Sequence, residues 1–187
     1  MKNIPNFLSI SRIFLGFTIL FIYPVDSISY FNITVTIIGV ASITDMLDGI
    51  IARKYNCTSF KGYILDGLGD RSFYVALILM IFMKFKSNII IVWLFIFREI
   101  LIYAFRLLNP KWRSFKRVRK ISVIHALGIR LWIFCYLLAD GFRYYFSVEI
   151  SNSQIFLLIQ HSIAGITIII VYYGLYLYIK PELMEKE

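Results

Sequence analysis

The sequence predicts an all-α integral membrane protein with about six transmembrane helices and a short N-terminal interfacial segment, forming a single domain over residues 1–187. Of these residues 59% are hydrophobic and only 17% are charged, whereas soluble domains are about 45–50% apolar and about 25% charged. The apolar residues form six stretches of roughly the 20 residues that cross a bilayer as a helix. The basic residues concentrate in alternate connections between these stretches.

The six predicted spans follow one another with short connections. They cover residues 7–23, 30–51, 63–85, 89–108, 121–139 and 155–179. A helix satisfies its own backbone hydrogen bonds, which a segment inside hydrocarbon requires. Residues 3–6 precede the first span and are predicted to be the interfacial segment, with Pro5 near a helix start, where proline is favoured.

The basic residues predict the orientation of the chain. The second and fourth connections are rich in Lys and Arg: Arg53, Lys54 and Lys61 in one, and Lys111, Arg113, Lys116, Arg117, Arg119 and Lys120 in the other. The opposite connections carry only Lys84, Lys86 and Arg143. By the positive-inside rule both termini and the two basic loops face the cytoplasm. The net charge of +9 is then explained by topology and anionic lipid, and no nucleic-acid partner is expected.

Four acidic residues lie close together around the second connection: Asp45, Asp48, Asp66 and Asp70. The first two are three residues apart and the last two are four apart, so each pair shares one helix face. The second connection is expected to fold the second and third helices side by side. The four carboxylates should then converge just inside the cytoplasmic membrane surface, where acidic residues indicate a functional site.

A cluster of four carboxylates requires compensating positive charge. Oxygen ligands favour hard cations such as Mg²⁺ or Mn²⁺, and two divalent ions would neutralise four carboxylates and still attract a phosphate. The structural alternative is that the acids pair with Arg53, Lys61 and Arg71. Gly49, Ala52 and Gly62 would allow a ligand to approach the backbone closely, and Arg53 is positioned to hold a phosphate.

Together these residues form the pattern Asp45-x2-Asp48-Gly49-x2-Ala52-Arg53-x8-Gly62-x3-Asp66-x3-Asp70. This pattern resembles the signature of the CDP-alcohol phosphatidyltransferase family at every fixed position. The resemblance implies that a metal-held CDP-linked lipid is attacked by an acceptor hydroxyl and that CMP leaves. It also implies a homodimer in a membrane, which suits a bacterial inner membrane with the active site facing the cytoplasm.

The resemblance also implies roles for individual residues. Asp45, Asp48 and Asp66 would be metal ligands, and Asp70 would lie near the metals and accept the acceptor's proton. The residues implied for the cytidine diphosphate pocket are Asn6, Ser9, Asp48, Gly49, Ala52, Arg53, Ser59 and Gly62.

The acceptor alcohol is less sharply defined than the donor. Residues 3–6 and the run Arg98-Glu99-Ile100-Leu101 resemble members of the family that use glycerol 3-phosphate, and also those that use phosphatidylglycerol. Residues proposed for the acceptor's phosphate are Arg106, Lys116, Arg119 and Lys120. Residues 119–123 lack the glycine and the threonine typical of glycerol 3-phosphate users, so another polar alcohol stays open. The Arg98–Glu99 pair could instead be purely structural.

Three other protein classes fit parts of the pattern. A UbiA-type prenyltransferase also uses aspartates and metals, but it has two separated aspartate motifs and about nine spans. A divalent-cation transporter would place its acidic residues near the bilayer midplane, often on broken helices. A catalytically silent scaffold would keep the fold, but no position of the signature is missing here. Metal-dependent CMP release would separate the transporter from the transferase.

Overall fold

The computed structural model describes residues 4–54, 60–108 and 116–179, and within these ranges the chain is helical with short connections. Six helices follow in order: α1 (Ile4–Ile22), α2 (Ile28–Lys54), α3 (Phe60–Phe85), α4 (Ile89–Leu108), α5 (Lys116–Phe146) and α6 (Gln154–Ile179). The chain divides into two compact units, Met1–Lys86 and Ser87–Glu187. The first contains α1–α3 and the second α4–α6.

The predicted apolar stretches match these helices closely at five of the six positions. The main difference is α5, which extends beyond the predicted 121–139 at both ends because polar and basic residues continue its helix. The prediction of a helix start near Pro5 is confirmed, since α1 begins at Ile4 and includes Pro5 in its first turn; the interfacial position of residues 3–6 stays a prediction. Proline is tolerated in the first turn because the first amides of a helix have no partner within it.

In the first unit, α1 packs against both α3 and α2. Its buried side chains recur every three or four residues, the spacing of one helix face. That face comprises Ser9, Arg12, Gly16 and Ile19, and the buried Tyr23 follows directly after the helix. A Cβ on Gly16 would lie 3.1 Å from the Ala76 Cβ of α3. Small residues at this contact let the two helices approach closely, as is common between membrane helices.

In the second unit, α5 packs against α6, and α4 contacts α6. A series of edge-to-face aromatic contacts joins three helices, from Phe95 of α4 through Trp132 and Tyr136 of α5 to Phe156 of α6. A Cβ on Gly128 of α5 would lie 2.9 Å from the Thr167 Cγ2 of α6. Close backbone approach therefore also fixes the α5–α6 contact.

Two helices are long and apolar enough to cross a membrane by length and composition: α2 over Ile28–Asp45 and α6 over Gln154–Tyr176. The apolar part of α1, Phe7–Ile22, is shorter. Large apolar side chains also cover outward faces of the helices. On α1 and α6 the most exposed are Phe7, Phe14, Phe17, Phe21, Ile155, Leu158, Ile166 and Ile169, each at least 60% exposed.

Candidate functional site

Three of the four predicted aspartates meet in the first unit. Asp45 belongs to α2, and Asp66 and Asp70 belong to α3. Each residue offers one carboxylate oxygen, and these three oxygens lie within 4.8 Å of one another. The structure therefore confirms that distant parts of the sequence bring these carboxylates together.

Helix periodicity explains the arrangement. Asp66 and Asp70 are one turn apart and share a face of α3. On α2 the buried residues Phe31, Thr34 and Ala41 mark the inward face, and Asp45 continues their spacing by one more turn. Asp45 is also the last residue of the apolar stretch of α2. The cluster thus lies where the apolar part of α2 ends.

Arg12 of α1 contacts all three carboxylates. Its Nη1 donates to Asp45 Oδ1 at 2.5 Å and to Asp70 Oδ1, and its Nη2 donates to Asp66 Oδ1 at 2.7 Å. The Arg12 side chain is only 2% exposed, whereas the side chains of Asp45, Asp66 and Asp70 are 48%, 46% and 31% exposed. The guanidinium is therefore the buried part of the cluster. The carboxylates are the part that solvent can reach.

The position of Arg12 is set by a tight helix contact. Ser9, one turn earlier on α1, accepts a hydrogen bond from Arg12 Nη2 at 3.4 Å. A Cβ on Gly69 of α3 would collide with the Ser9 carbonyl group and lie 3.1 Å from its carbon. Only glycine permits this approach of α1 to α3 at the level of the carboxylates.

The donor set fits a hard divalent cation. The three carboxylates contribute three negative formal charges and Arg12 contributes one positive charge. The formal net charge of these four side chains is therefore −2. Carboxylate oxygens are the ligands that Mg²⁺ and Mn²⁺ prefer. The separation of the three oxygens and their exposure suit ligation of an ion that arrives from solvent.

The other predicted site residues are placed less completely. Gly62 lies in the first turn of α3, as predicted, and Ser9 lies beside Arg12. Ser59 falls outside the described residues. For the following residues the structure describes the helix but not the side chain: Asn6, Asp48, Gly49, Ala52, Arg53, Arg106, Lys116, Arg119 and Lys120. Asp48 follows Asp45 by one turn of α2.

Two features of the site differ from the sequence analysis. The loop was expected to pair α2 directly with α3, but their direct contacts are sparse among the described residues, and α1 packs against both. Arg12 was given no role in the site by the sequence analysis. A signal was available, because Arg12 is a charged residue within the first apolar stretch, and such residues are functional candidates by default.

The sequence model of the CDP-alcohol phosphatidyltransferase family matches residues 2–177. This match covers both units and nearly the whole chain. The chain therefore belongs to the CDP-alcohol phosphatidyltransferase family.

Curated relatives carry more specific names. The chain is 32% identical over 106 residues to the CDP-diacylglycerol–glycerol-3-phosphate 3-phosphatidyltransferase of Rickettsia typhi, covering 57% of this chain and 60% of the relative. It is 41% identical over 81 residues to the protein of the same name from Haemophilus influenzae, covering 42% and 43%. A cardiolipin synthase (CMP-forming)/mitochondrial hydrolase fusion protein of Schizosaccharomyces pombe is 29% identical over 102 residues, covering 54% and 17%. No solved structure matches significantly.

Proposed function

We propose that the protein is a membrane-embedded, metal-dependent enzyme that transfers the phosphatidyl group of CDP-diacylglycerol to glycerol 3-phosphate. The cluster of Asp45, Asp66 and Asp70 carries the proposal, because these residues occupy the metal-ligand positions that the family signature implies. Membership of the family supports the transferase class. The names of the Rickettsia and Haemophilus relatives support the donor and the acceptor.

The exposed apolar faces support a membrane setting. A soluble protein seldom exposes contiguous large apolar side chains, whereas lipid accommodates them at no cost. The outward residues of α1 and α6 are mainly Phe, Ile and Leu. All six helices would then lie in the bilayer as one domain, with the carboxylate cluster at the cytoplasmic end. A bacterial inner membrane and a homodimer remain part of this proposal.

In the proposed reaction the acceptor hydroxyl oxygen forms a bond to the phosphorus on the lipid side of the pyrophosphate. The bond from this phosphorus to the bridging oxygen breaks, and CMP leaves with that oxygen. Asp70 accepts the hydroxyl proton, a role that its partial exposure permits. Two bound Mg²⁺ or Mn²⁺ ions would neutralise negative charge on the pyrophosphate. Asp45, Asp48 and Asp66 would hold these ions.

The remaining signature residues would bind the nucleotide. Asn6, Ser9, Gly49, Ala52, Arg53, Ser59 and Gly62 would form the cytidine diphosphate pocket. Arg106, Lys116, Arg119 and Lys120, on α4 and α5, are the candidates for the acceptor's phosphate because guanidinium and ammonium groups bind phosphate well. Phosphatidylglycerol is a second candidate acceptor, and the name of the Schizosaccharomyces relative favours it.

The test is release of CMP from CDP-diacylglycerol by the full chain purified in detergent. Parallel reactions contain glycerol 3-phosphate, phosphatidylglycerol, inositol phosphate or no acceptor, each with Mg²⁺, with Mn²⁺ or with a chelator. We expect release only with glycerol 3-phosphate and a divalent ion. Release with phosphatidylglycerol alone would replace the acceptor and keep the catalytic site. No release with any of these acceptors, from folded protein, would contradict the proposed reaction.

A further inference from the structure

Arg12 is the side chain that links the three carboxylates of the candidate site. It contributes two nitrogens to three aspartates on two other helices. In each aspartate the acceptor is the Oδ1 atom, so each contact occupies one carboxylate oxygen. A planar guanidinium with several fixed donors suits such bridging, which a lysine ammonium does not reproduce.

We propose that Arg12 is a positioning residue that assembles the metal-binding carboxylates. It holds one oxygen of each aspartate and so fixes the direction of the other. It also lowers the formal net charge of these side chains from −3 to −2, which still leaves negative charge to attract a divalent ion. Groups that hydrogen-bond to metal ligands and orient them typically contribute 10–100-fold to metal affinity. The inference rests on the proposed metal-dependent function and adds a residue outside the aspartate signature.

The burial of Arg12 favours positioning over competition with the metal. A competing guanidinium would have to leave the carboxylates when the ion binds. Arg12 is 2% exposed, and its neighbour Ser9 is in close backbone contact with Gly69. A departing guanidinium would have to leave this enclosed position. The carboxylates, in contrast, are 31–48% exposed, so an ion from solvent can reach them.

The experiment measures Mn²⁺ binding to the full chain in detergent by electron paramagnetic resonance. The variants are Arg12→Met, which removes charge and donors, and Arg12→Lys, which keeps the charge. Arg143→Met is the matched control, because it removes an arginine from the second unit. We expect Arg12→Met to bind Mn²⁺ at least 10-fold more weakly than wild type and Arg12→Lys to be intermediate. Arg143→Met should bind as wild type does.

Activity supplies a second readout of the same variants. If Arg12 positions the ligands, the Mn²⁺ concentration for half-maximal CMP release should rise in Arg12→Met by the same factor as the dissociation constant. Unchanged Mn²⁺ affinity with lower thermal stability would show a purely structural role and overturn the proposal. Tighter Mn²⁺ binding by Arg12→Met would also overturn the proposal, because it would show that Arg12 competes with the metal ion for the carboxylates. If Arg12→Met does not fold, the test uses Arg12→Lys instead. Wild-type Mn²⁺ affinity in Arg12→Lys would then overturn the proposal.

The outcomes also separate this inference from the proposed function. Wild-type protein that binds Mn²⁺, loses affinity on Arg12 substitution and yet releases no CMP would support Arg12 and contradict the transferase reaction. If wild-type protein releases CMP and all Arg12 variants bind Mn²⁺ normally, the result would support the transferase reaction and contradict the role of Arg12. Wild-type protein that binds no divalent ion would overturn both.

Discussion

Arg12 in the first unit and Arg98 in the second are both buried arginines, but their carboxylate partners differ in number, origin and exposure. Arg12 contacts three aspartates on two other helices, and these aspartates are 31–48% exposed. Arg98 pairs at 2.5 Å with Glu99, its neighbour on α4, and their side chains are 6% and 11% exposed. The first cluster has excess negative charge that solvent can reach, whereas the second pair is balanced and enclosed.

This difference indicates which polar group binds a ligand. A balanced buried pair has its charges compensated within the protein, and removing one partner leaves the other uncompensated. A cluster with unmatched charge attracts a cation from outside, and its exposed side admits one. We therefore expect the unmatched cluster to take part in the proposed chemistry and the enclosed pair to stabilise the second unit.

The largest expected effect is on catalysis by Asp70→Asn. The substitution keeps the side-chain size but removes the proposed proton acceptor, so CMP release should fall by about 10²–10⁴-fold. Folding, measured by circular dichroism and gel filtration, should stay as in wild type. Asp26→Asn, in the connection between α1 and α2, is the matched control and should keep its activity. Wild-type turnover in folded Asp70→Asn would remove Asp70 from the mechanism.

A smaller effect, on stability, is expected for Glu99→Gln. It leaves the buried Arg98 without its carboxylate partner, which costs about 3–5 kcal/mol when a buried pair is broken. The melting temperature should drop, measured by thermal denaturation in detergent, while Mn²⁺ affinity should not change. A variant of normal stability with weakened use of glycerol 3-phosphate would instead assign the pair to the acceptor site, as the resemblance of residues 98–101 suggests.

Local spacing in the sequence was sufficient to predict the helices and the helix faces that carry the aspartates. Apolar stretches of about 20 residues predicted six helices, and the i, i+3 and i, i+4 spacings of Asp45, Asp48, Asp66 and Asp70 predicted a shared site. The role of α1 could not be predicted in the same way. Its packing against α2 and α3 depends on contacts between distant residues, such as Ser9 with Gly69. The charge of Arg12 within an apolar stretch made it a candidate, but its contacts with the three aspartates became visible only in three dimensions.

The smallest expected effect is at Gly69, where α3 contacts α1 next to the carboxylate cluster. Gly69→Ala places a methyl group against the Ser9 carbonyl, so α1 must move away from α3. We expect a loss of about 1–3 kcal/mol in stability, typical of overpacking, and weaker Mn²⁺ binding because Arg12 moves with α1. Gly39→Ala on α2 is the control, since no atom lies within 4 Å of the added Cβ. Gly69→Ala that loses stability but keeps full Mn²⁺ affinity would show that the cluster tolerates a displaced α1, and the site would then depend on the carboxylates alone.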